Sequence, residues 1–292
     1  SGADARGLAA SVACGKLESG CVKIGACTPA VNRVSLHRNR GGCLGLIGKS
    51  GSVKSGTALS IMGLVASPPG LIRNGAIYLD GEDVLDMSET ELTATRGSKV
   101  AYVFQDPLTT LHPMYSIGKQ VQEAIAAHKS ISASERRAEA VALLEKVGIP
   151  DAKERADHYP HQLSGGQRQR VGIAMALAND PDIIIADEPT TALDVTVQAR
   201  ILELLRDLQR ERGMALLFIT HDFGVVSEIC DRVAVMKDGV IVETGTAREV
   251  LANPQHSYTK RLIACVPELG HGKDFYERVA KLFSRKQTEA AT

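Results

Sequence analysis

Residues 48–55 of the sequence, GKSGSVKS, have the residue types and spacing of a loop that binds phosphate. The segment lies between a short apolar run (43–47) and a predicted helix (54–64). A loop in that position directs backbone N–H groups at phosphate oxygens, and the helix N-terminus adds partial positive charge. Lys54 would bind the β- and γ-phosphates of a nucleotide, and the Ser55 hydroxyl would bind Mg²⁺. The predicted nucleotide-binding residues of this loop are Gly48, Ser50, Gly51, Ser52, Lys54, Ser55 and Gly56.

The loop departs from the phosphate-binding pattern G-x-x-x-x-G-K-[S/T] at one position. Val53 occupies the place of the glycine that precedes the lysine. If that position requires φ > 0, a β-branched residue costs on the order of 1–2 kcal/mol there, and its methyl groups also crowd the phosphates. A Gly/Ser turn without a nucleotide is the competing interpretation of the loop taken alone.

Two adjacent acidic residues, Asp187 and Glu188, follow the apolar run 183–186. The run has the composition of a buried strand, and two carboxylates at its end need a partner such as a cation. Asp187 would hold Mg²⁺ through water, and Glu188 would polarise an attacking water molecule. An acidic turn without catalytic function is the alternative.

A third segment, LSGGQ at residues 163–167, opens a predicted helix that continues to residue 178. Two glycines at a helix start allow a phosphate to approach the backbone closely, and Ser164 can add a hydroxyl contact. A flexible helix start is the simpler interpretation. The predicted phosphate-contacting residues are Ser164, Gly165, Gly166 and Gln167.

The elements that must position these residues alternate between strand and helix, which favours a largely parallel sheet covered by helices. Ser132 and Glu135 form a capping box before a helix at 136–147, within a polar helical stretch (107–161) that interrupts the alternation. Strands are predicted at 43–47, 76–79, 100–104, 183–186, 216–220, 232–236 and 240–243. Further helices are predicted at 88–95 and 195–212.

The first 43 residues differ in composition from the rest. Four of the six cysteines lie there, and the first aromatic residue is Tyr78. The segment predicts either a weakly ordered arm or a diverged first sheet. No two cysteines form a CxxC pair, so neither a zinc ribbon nor a redox motif is supported. The cysteines are Cys14, Cys21, Cys27, Cys43, Cys230 and Cys265.

Composition excludes some classes of partner. Of the 292 residues, 34 are Lys or Arg and 34 are Asp or Glu. With a net charge near zero, no global field favours nucleic acid or an anionic membrane surface. No apolar run approaches the roughly 20 residues that span a bilayer. We therefore expect no nucleic-acid partner, and a chain that stays in the cytoplasm unless a partner holds it at a membrane.

The order and spacing of these segments resemble the ATPase subunits of ATP-binding-cassette (ABC) transporters. The resemblance rests on Gln105, residues 163–167, Asp187 and Glu188, residues 192–194, and His221, and it covers about residues 43–269. It implies an α/β fold of the P-loop NTPase (RecA-like) kind, with a mainly parallel sheet, an inserted α-helical subdomain and an N-terminal antiparallel β portion. The implied divisions are residues 22–106, 107–162 (helical subdomain), 163–246 and 247–292 (C-terminal extension).

The resemblance also implies roles for single residues, with ATP and Mg²⁺ as cofactors. Gln105 would sense the γ-phosphate and Mg²⁺ and contact the permease. Asp194 would belong to the loop at the dimer interface, and His221 would contact the γ-phosphate. The implied catalytic residues are Glu188, His221 and Gln105, and the implied metal-binding residues are Ser55, Gln105 and Asp187.

Further segments resemble the subunits of peptide and nickel importers. They are FQDP (104–107), LHP (111–113), YPHQ (159–162), DEPTTALDVT (187–196), PQHSYT (254–259) and VPEL (266–269). That group includes dipeptide, oligopeptide, glutathione, opine and nickel systems, and the sequence leaves the solute open. Some members carry a C-terminal cysteine cluster for an iron–sulfur centre; only Cys265 lies there in this chain, so none is expected.

The resemblance implies several partners and a location. The partners are membrane permease subunits, a second ATPase subunit (identical or different) and, indirectly, an extracytoplasmic solute-binding protein. The implied location is peripheral, on the cytoplasmic face of the inner membrane.

Two departures from the family leave alternatives open. Val53 stands in the phosphate-binding loop, and residues 1–42 lack the aromatic residue on which the family stacks adenine. In the family each ATP lies between the phosphate-binding loop of one subunit and the LSGGQ segment of the other. The chain is therefore either a hydrolysing importer subunit or a largely non-catalytic partner that completes the other subunit's site. A soluble ABC ATPase of DNA repair or translation is a third alternative. Repair members insert a long coiled coil between the positions of Gln105 and Leu163, whereas only 58 positions separate them here. Translation factors usually carry two cassettes in one chain, and this chain carries one.

Overall fold

The structure is a computed structural model. It describes residues 10–23, 26–39, 41–49, 53–65, 70–106, 110–191 and 193–264. The chain divides into two compact units, one of Ser1–Leu85 with Leu217–Thr292 and one of Asp86–Leu216.

Beyond residue 40 the described residues form both strands and helices. The strands are β1 Ala10–Lys23, β2 Ala26–Asn39, β3 Cys43–Ile47, β4 Gly70–Leu79, β5 Glu82–Asp83, β6 Val100–Val103, β7 Ile183–Asp187, β8 Ala215–Thr220, β9 Arg232–Lys237 and β10 Val240–Thr246. The helices are α1 Lys54–Ile61, α2 Glu89–Thr95, α3 Ile117–Ala126, α4 Ala133–Lys146, α5 Ala152–Arg155, α6 Gly165–Ala176, α7 Val195–Arg212, α8 Phe223–Ile229, α9 Ala247–Ala252 and α10 Ser257–Ala264. Short 3₁₀ turns cover Val84–Asp86 and Pro160–Gln162.

The N-terminal segment of the first unit forms an antiparallel sheet. Its strand order is β2-β1-β4-β5, and β1 pairs with β2 on one side and with β4 on the other. Of the two alternatives for this segment, the structure therefore has the sheet. β4 begins at Gly70, six residues before the predicted start, because its first residues pair with β1.

The first unit also contains the strand that leads into the phosphate-binding loop. β3 is buried along its whole length and pairs in parallel with β9, and β9 and β10 form an antiparallel hairpin. Helix α8 lies close to β3: a Cβ added at Gly45 would meet Cys230 Sγ at 3.0 Å and Val226 Cγ1 at 3.1 Å. A larger residue at this position would require the helix end to shift by a few tenths of an ångström away from the strand.

The second unit combines two parallel strands with the inserted helices. β6 pairs with β7 in parallel, with Tyr102 opposite Ile185. Between these strands in sequence lie α3 to α6, and α3 packs against α4 and α6. The capping box of Ser132 and Glu135 is present, so the helix starts at Ala133, three residues before the predicted start. The helical character predicted for residues 107–161 is confirmed for the described part, with Ile117, Val121 and Leu144 fully buried.

The remaining elements agree with the sequence pattern in type. α1 ends at Ile61 rather than residue 64, because Met62 caps it and Gly63 adopts φ 61°. None of the helices within the described ranges is long and apolar enough to cross a bilayer. The VPEL segment, Cys265 and the tail from His271 lie outside the described residues.

Candidate functional site

Lys54 connects the two described parts of the phosphate-binding loop, residues 48–49 and 53–55. Ser50, Gly51 and Ser52 lie outside the described residues. Lys54 is 5% exposed, and its Nζ donates hydrogen bonds to the carbonyl oxygens of Gly48 (2.8 Å) and Lys49 (3.1 Å). A buried ammonium group needs such acceptors. The Lys54 ammonium group therefore donates to backbone carbonyl oxygens, and it has the hydrogen-bond donors that phosphate oxygens would accept.

Val53 adopts a positive φ, the condition on which its expected strain depends. Its φ is 65° and its ψ is 27°, which is the left-handed helical region. A β-branched residue is strained there by about 1–2 kcal/mol. The side chain lies over the first turn of α1, since a Cβ added at Gly56 would come within 2.7 Å of Val53 Cγ1.

This contact predicts that substitutions at positions 53 and 56 are coupled. Gly56→Ala should lower the free energy of unfolding in the natural chain, because the new methyl meets the stiff Val53 side chain. In the Val53→Gly chain the same substitution should be neutral or stabilising, since alanine favours helix by about 1 kcal/mol over glycine. We expect a coupling of about 1–3 kcal/mol from urea unfolding of the four proteins.

Gly172 in α6 provides the matched control, because a Cβ there meets nothing within 4 Å. Gly172→Ala should have the same effect whether residue 53 is valine or glycine. Additive effects of the 53 and 56 substitutions would show that Val53 does not press on Gly56.

The acidic pair lies at the end of β7, as predicted. Asp187 is 5% exposed, and its Oδ2 accepts a hydrogen bond from the Tyr102 hydroxyl at 2.8 Å. Asp187 Oδ1 is buried and has no hydrogen-bond partner among the described residues. Burial, together with the nearby Asp187 carboxylate, raises the pKa of Tyr102 above its ordinary value, so the tyrosine remains a donor. A buried carboxylate oxygen without a donor suits a hard cation such as Mg²⁺.

Glu188 is held by two donors. Gln105 Nε2 and Thr191 Oγ1 both donate to Glu188 Oε2, at 3.2 and 3.0 Å. Glu188 itself has φ 46°, a conformation in which a non-glycine residue is uncommon and which often occurs at functional sites. The structure thus brings together two of the three predicted catalytic residues, Gln105 and Glu188. The third, His221, is exposed at the end of β8 in the first unit.

Two residues that donate hydrogen bonds to the acidic pair, Tyr102 and Thr191, were not predicted from the sequence. Tyr102 is the polar position in the otherwise apolar strand β6, and Thr191 follows Glu188 by three residues, which is turn spacing. Thr191 N–H also donates to the Glu188 carbonyl oxygen at 3.1 Å. A single hydroxyl group in an apolar strand indicates that Tyr102 needs a hydrogen-bond partner. The identity of that partner depends on which strand pairs with β6, and the sequence does not show this.

The LSGGQ segment starts α6 with a reciprocal cap. Ser164 Oγ accepts from Gln167 N–H (3.3 Å), and Gln167 Oε1 accepts from Ser164 N–H (3.0 Å). Ser164 and Gly165 are exposed, whereas Gly166 is buried because Val197 of α7 lies against it. The side chain of Gln167 therefore serves the helix cap. Asp194 likewise caps α7, accepting from Val197 N–H at 2.9 Å.

A cavity of about 390 Å³ adjoins the start of α6, and two arginines contribute to its lining. Arg170 Nη1 donates to the Val147 carbonyl oxygen at 2.5 Å. Burial, and the charge of Arg200 close by, lower the pKa of Arg170. Two arginine residues beside the N-terminus of a helix, whose dipole adds partial positive charge, create an environment that favours an anion.

Two family models match the sequence. One, described as "ABC transporter", matches residues 31–191, and the other, described as "Oligopeptide/dipeptide transporter, C-terminal region", matches residues 242–289.

Individual proteins agree with these matches. The chain is 49% identical over 240 residues to "Oligopeptide transport ATP-binding protein OppD" of Bacillus subtilis, covering 82% of this chain and 67% of that protein. It is 50% identical over 241 residues to "Probable D,D-dipeptide transport ATP-binding protein DdpD" of Escherichia coli, covering 82% and 74%. It spans less than half the length of some other relatives. The dimeric cassette MJ0796 bound to ADP and Pi superposes with TM-score 0.71 at 33% identity, over 81% of this chain and 98% of that one.

Proposed function

The chain belongs to the ABC transporter family of ATP-binding proteins, and we propose that it is the ATP-hydrolysing subunit of an importer for a peptide-like solute or nickel. The observation that carries the proposal is the acidic pair. Glu188 is oriented by Gln105 and Thr191, beside an Asp187 oxygen that is buried without a donor. The match of residues 242–289 to the peptide transporter C-terminal region supports the solute class.

The residues of the chain fit ATP and Mg²⁺. Asp187 Oδ1 supplies an acceptor for the metal, and Ser55, exposed in the first turn of α1, supplies a hydroxyl. When bound, Mg²⁺ neutralises the charge that develops on the phosphates. Lys54 exchanges its two carbonyl acceptors for phosphate oxygens. Glu188 orients the attacking water and accepts its proton, and His221 is proposed to contact the γ-phosphate.

The LSGGQ segment is proposed to complete the ATP site of a second ATPase subunit, identical or different. Ser164 and Gly165 are exposed, and the arginine-lined cavity beside them favours negative charge. This role does not depend on the chain's own phosphate-binding loop. Because the strained Val53 affects only the chain's own phosphate-binding loop, it favours a second candidate function, in which this chain mainly completes the partner's site. A soluble ABC ATPase outside transport is not favoured by the relatives.

The helical insertion is proposed to form, with Gln105, the face that docks on the permease subunits. Large apolar side chains are exposed around it: Phe104 (42%), Met114 (75%), Tyr115 (48%) and Tyr159 (42%). Neighbouring exposed apolar side chains, such as those of Met114 and Tyr115, favour an interaction surface. Cysteine crosslinks from position 114 to a membrane subunit are expected. Crosslinks that form only from the C-terminal tail would reject this face.

The location follows from these partners. We propose that the chain is peripheral, held on the cytoplasmic face of the inner membrane by the permeases, while a solute-binding protein acts on the other side of the membrane.

Uptake by cells tests the proposed function. Deleting the gene for this chain should abolish uptake of a radiolabelled tripeptide, dipeptide or nickel, and the natural chain should restore it. The Lys54→Ala chain should not restore uptake, because the phosphates lose their charge partner. Uptake of all three solutes that is unaffected by the deletion would contradict the importer proposal.

A further inference from the structure

The phosphate-binding loop is contacted by a residue 209 positions away in sequence. The hydroxyl oxygen of Tyr258 accepts a hydrogen bond from Lys49 N–H at 3.2 Å. Tyr258 lies in the first turn of α10, within the PQHSYT segment, and is 7% exposed. Both residues belong to the first unit.

The peptide group between Gly48 and Lys49 is thereby held at both ends. Its carbonyl oxygen accepts from Lys54 Nζ at 2.8 Å, and its N–H donates to Tyr258. Because a peptide group is planar, two bonds to its opposite ends fix its orientation. One of these bonds is made by the lysine that would move to the phosphates. When it does, the bond to Tyr258 remains.

The position of Tyr258 is itself set by polar contacts. The Glu243 carboxylate of β10 accepts from the backbone N–H groups of Gln255 (2.7 Å) and His256 (3.0 Å). His256 Nδ1 then accepts from Tyr258 N–H at 3.1 Å, and Lys237 Nζ lies 5.7 Å from the centre of the tyrosine ring. Burial acts to raise the pKa of Glu243, but the hydrogen bonds that its carboxylate accepts, together with the charge of His256, outweigh burial and lower the pKa. Glu243 thus remains a charged acceptor that fixes the chain ahead of α10.

We propose that Tyr258 is a positioning residue for the nucleotide site. Its hydroxyl holds the Gly48–Lys49 peptide in the orientation that ATP requires, and so preserves the start of the loop once Lys54 turns to the phosphates. The C-terminal segment then acts on ATP affinity without touching ATP. The contact stands on geometry alone, whereas its effect on ATP rests on the proposed function.

The test substitution is Tyr258→Phe in the full chain, which keeps the ring and its contact with Lys237. We expect the KM for ATP to rise about 3- to 10-fold, because Lys54 still holds this peptide group in the free chain, whereas the group loses its remaining side-chain bond once Lys54 binds phosphate. Turnover at saturating ATP should stay unchanged, and the thermal midpoint should fall by no more than a few degrees, the effect of one lost hydrogen bond on folding. Tyr78→Phe on β4 is the control, because no described residue bonds to the Tyr78 hydroxyl, and it should alter none of these quantities.

A second measurement does not require ATP. Hydrogen exchange of the Lys49 amide should accelerate on the order of tenfold in Tyr258→Phe, because a lost hydrogen bond eases local opening, and it should be unchanged in Tyr78→Phe. An unchanged Lys49 exchange rate would overturn the inference.

Faster exchange with an unchanged KM, in a chain that turns over ATP, would reduce the bond to a structural contact and also overturn the inference. If neither the natural chain nor the Val53→Gly chain binds ATP, the proposed function is wrong, and so is the proposed effect of Tyr258 on ATP affinity. The exchange rate of Lys49 still decides the contact.

Discussion

Replacing Glu188 with glutamine is expected to lower the rate of ATP hydrolysis at this chain's own site by about 100-fold or more, while ATP binding is retained. The amide keeps the size of the carboxylate and can still accept the bonds that Gln105 and Thr191 donate to Oε2. It cannot take a proton from water. The loss should therefore fall on turnover rather than on affinity.

Phosphate release and ATP binding should be measured on the same preparations. Glu203→Gln is the matched control, because Glu203 is exposed on α7 in the same unit and its substitution should change neither quantity. Unchanged turnover in Glu188→Gln has two causes, a residue that is not catalytic or a site that Val53 has silenced. Repeating the substitution in the Val53→Gly chain separates them: if turnover is again unchanged, Glu188 is not the catalytic base.

Restoring glycine at position 53 is expected to tighten ATP binding about tenfold or more, which requires only about 1.4 kcal/mol. Because we expect the loop to keep this φ of 65° when ATP binds, the strain largely cancels between the free and bound states. Relief of strain should appear mainly in the free energy of unfolding. The gain in affinity should come from removing the valine methyl groups from the phosphate-binding loop.

Calorimetric titration with Mg-ATP distinguishes these two contributions. Val53→Ala removes the γ-methyl groups but keeps a Cβ at positive φ, so it should recover much of the affinity and little of the stability. Lys54→Ala in the Val53→Gly chain should abolish the gain. Equal dissociation constants for the natural and Val53→Gly chains would show that the loop tolerates valine and that the site is not degenerate.

Features that depend on local chemistry could be predicted from the sequence. The bounds of α7, Val195–Arg212, agree with the prediction because Asp194 caps its start and Gly213 ends it with φ 62°. The capping box at Ser132 is likewise a matter of residues three positions apart. The acidic pair was located because an apolar run of strand length ends on it.

Features that depend on pairing distant segments could not be predicted. Tyr102 and Asp187 meet because β6 and β7 are neighbours, and nothing local in either strand specifies the other. The same holds for Tyr258 and Lys49. Cys43 and Cys230 form no sequence motif, yet their sulfur atoms lie 3.2 Å apart, because the start of β3 lies beside the two residues that precede β9. The φ of Val53 could be stated only as a condition, since tertiary context sets it.

The most direct test of an ATP-hydrolysing site in this chain is the initial rate of phosphate release from Mg-ATP by the purified full chain. We expect a rate that saturates with ATP, increases in Val53→Gly at low ATP, and disappears in Lys54→Ala. A rate that survives in Lys54→Ala, or turnover that is absent from both the natural and the Val53→Gly chains, would contradict the assignment of an ATP-hydrolysing site to this chain.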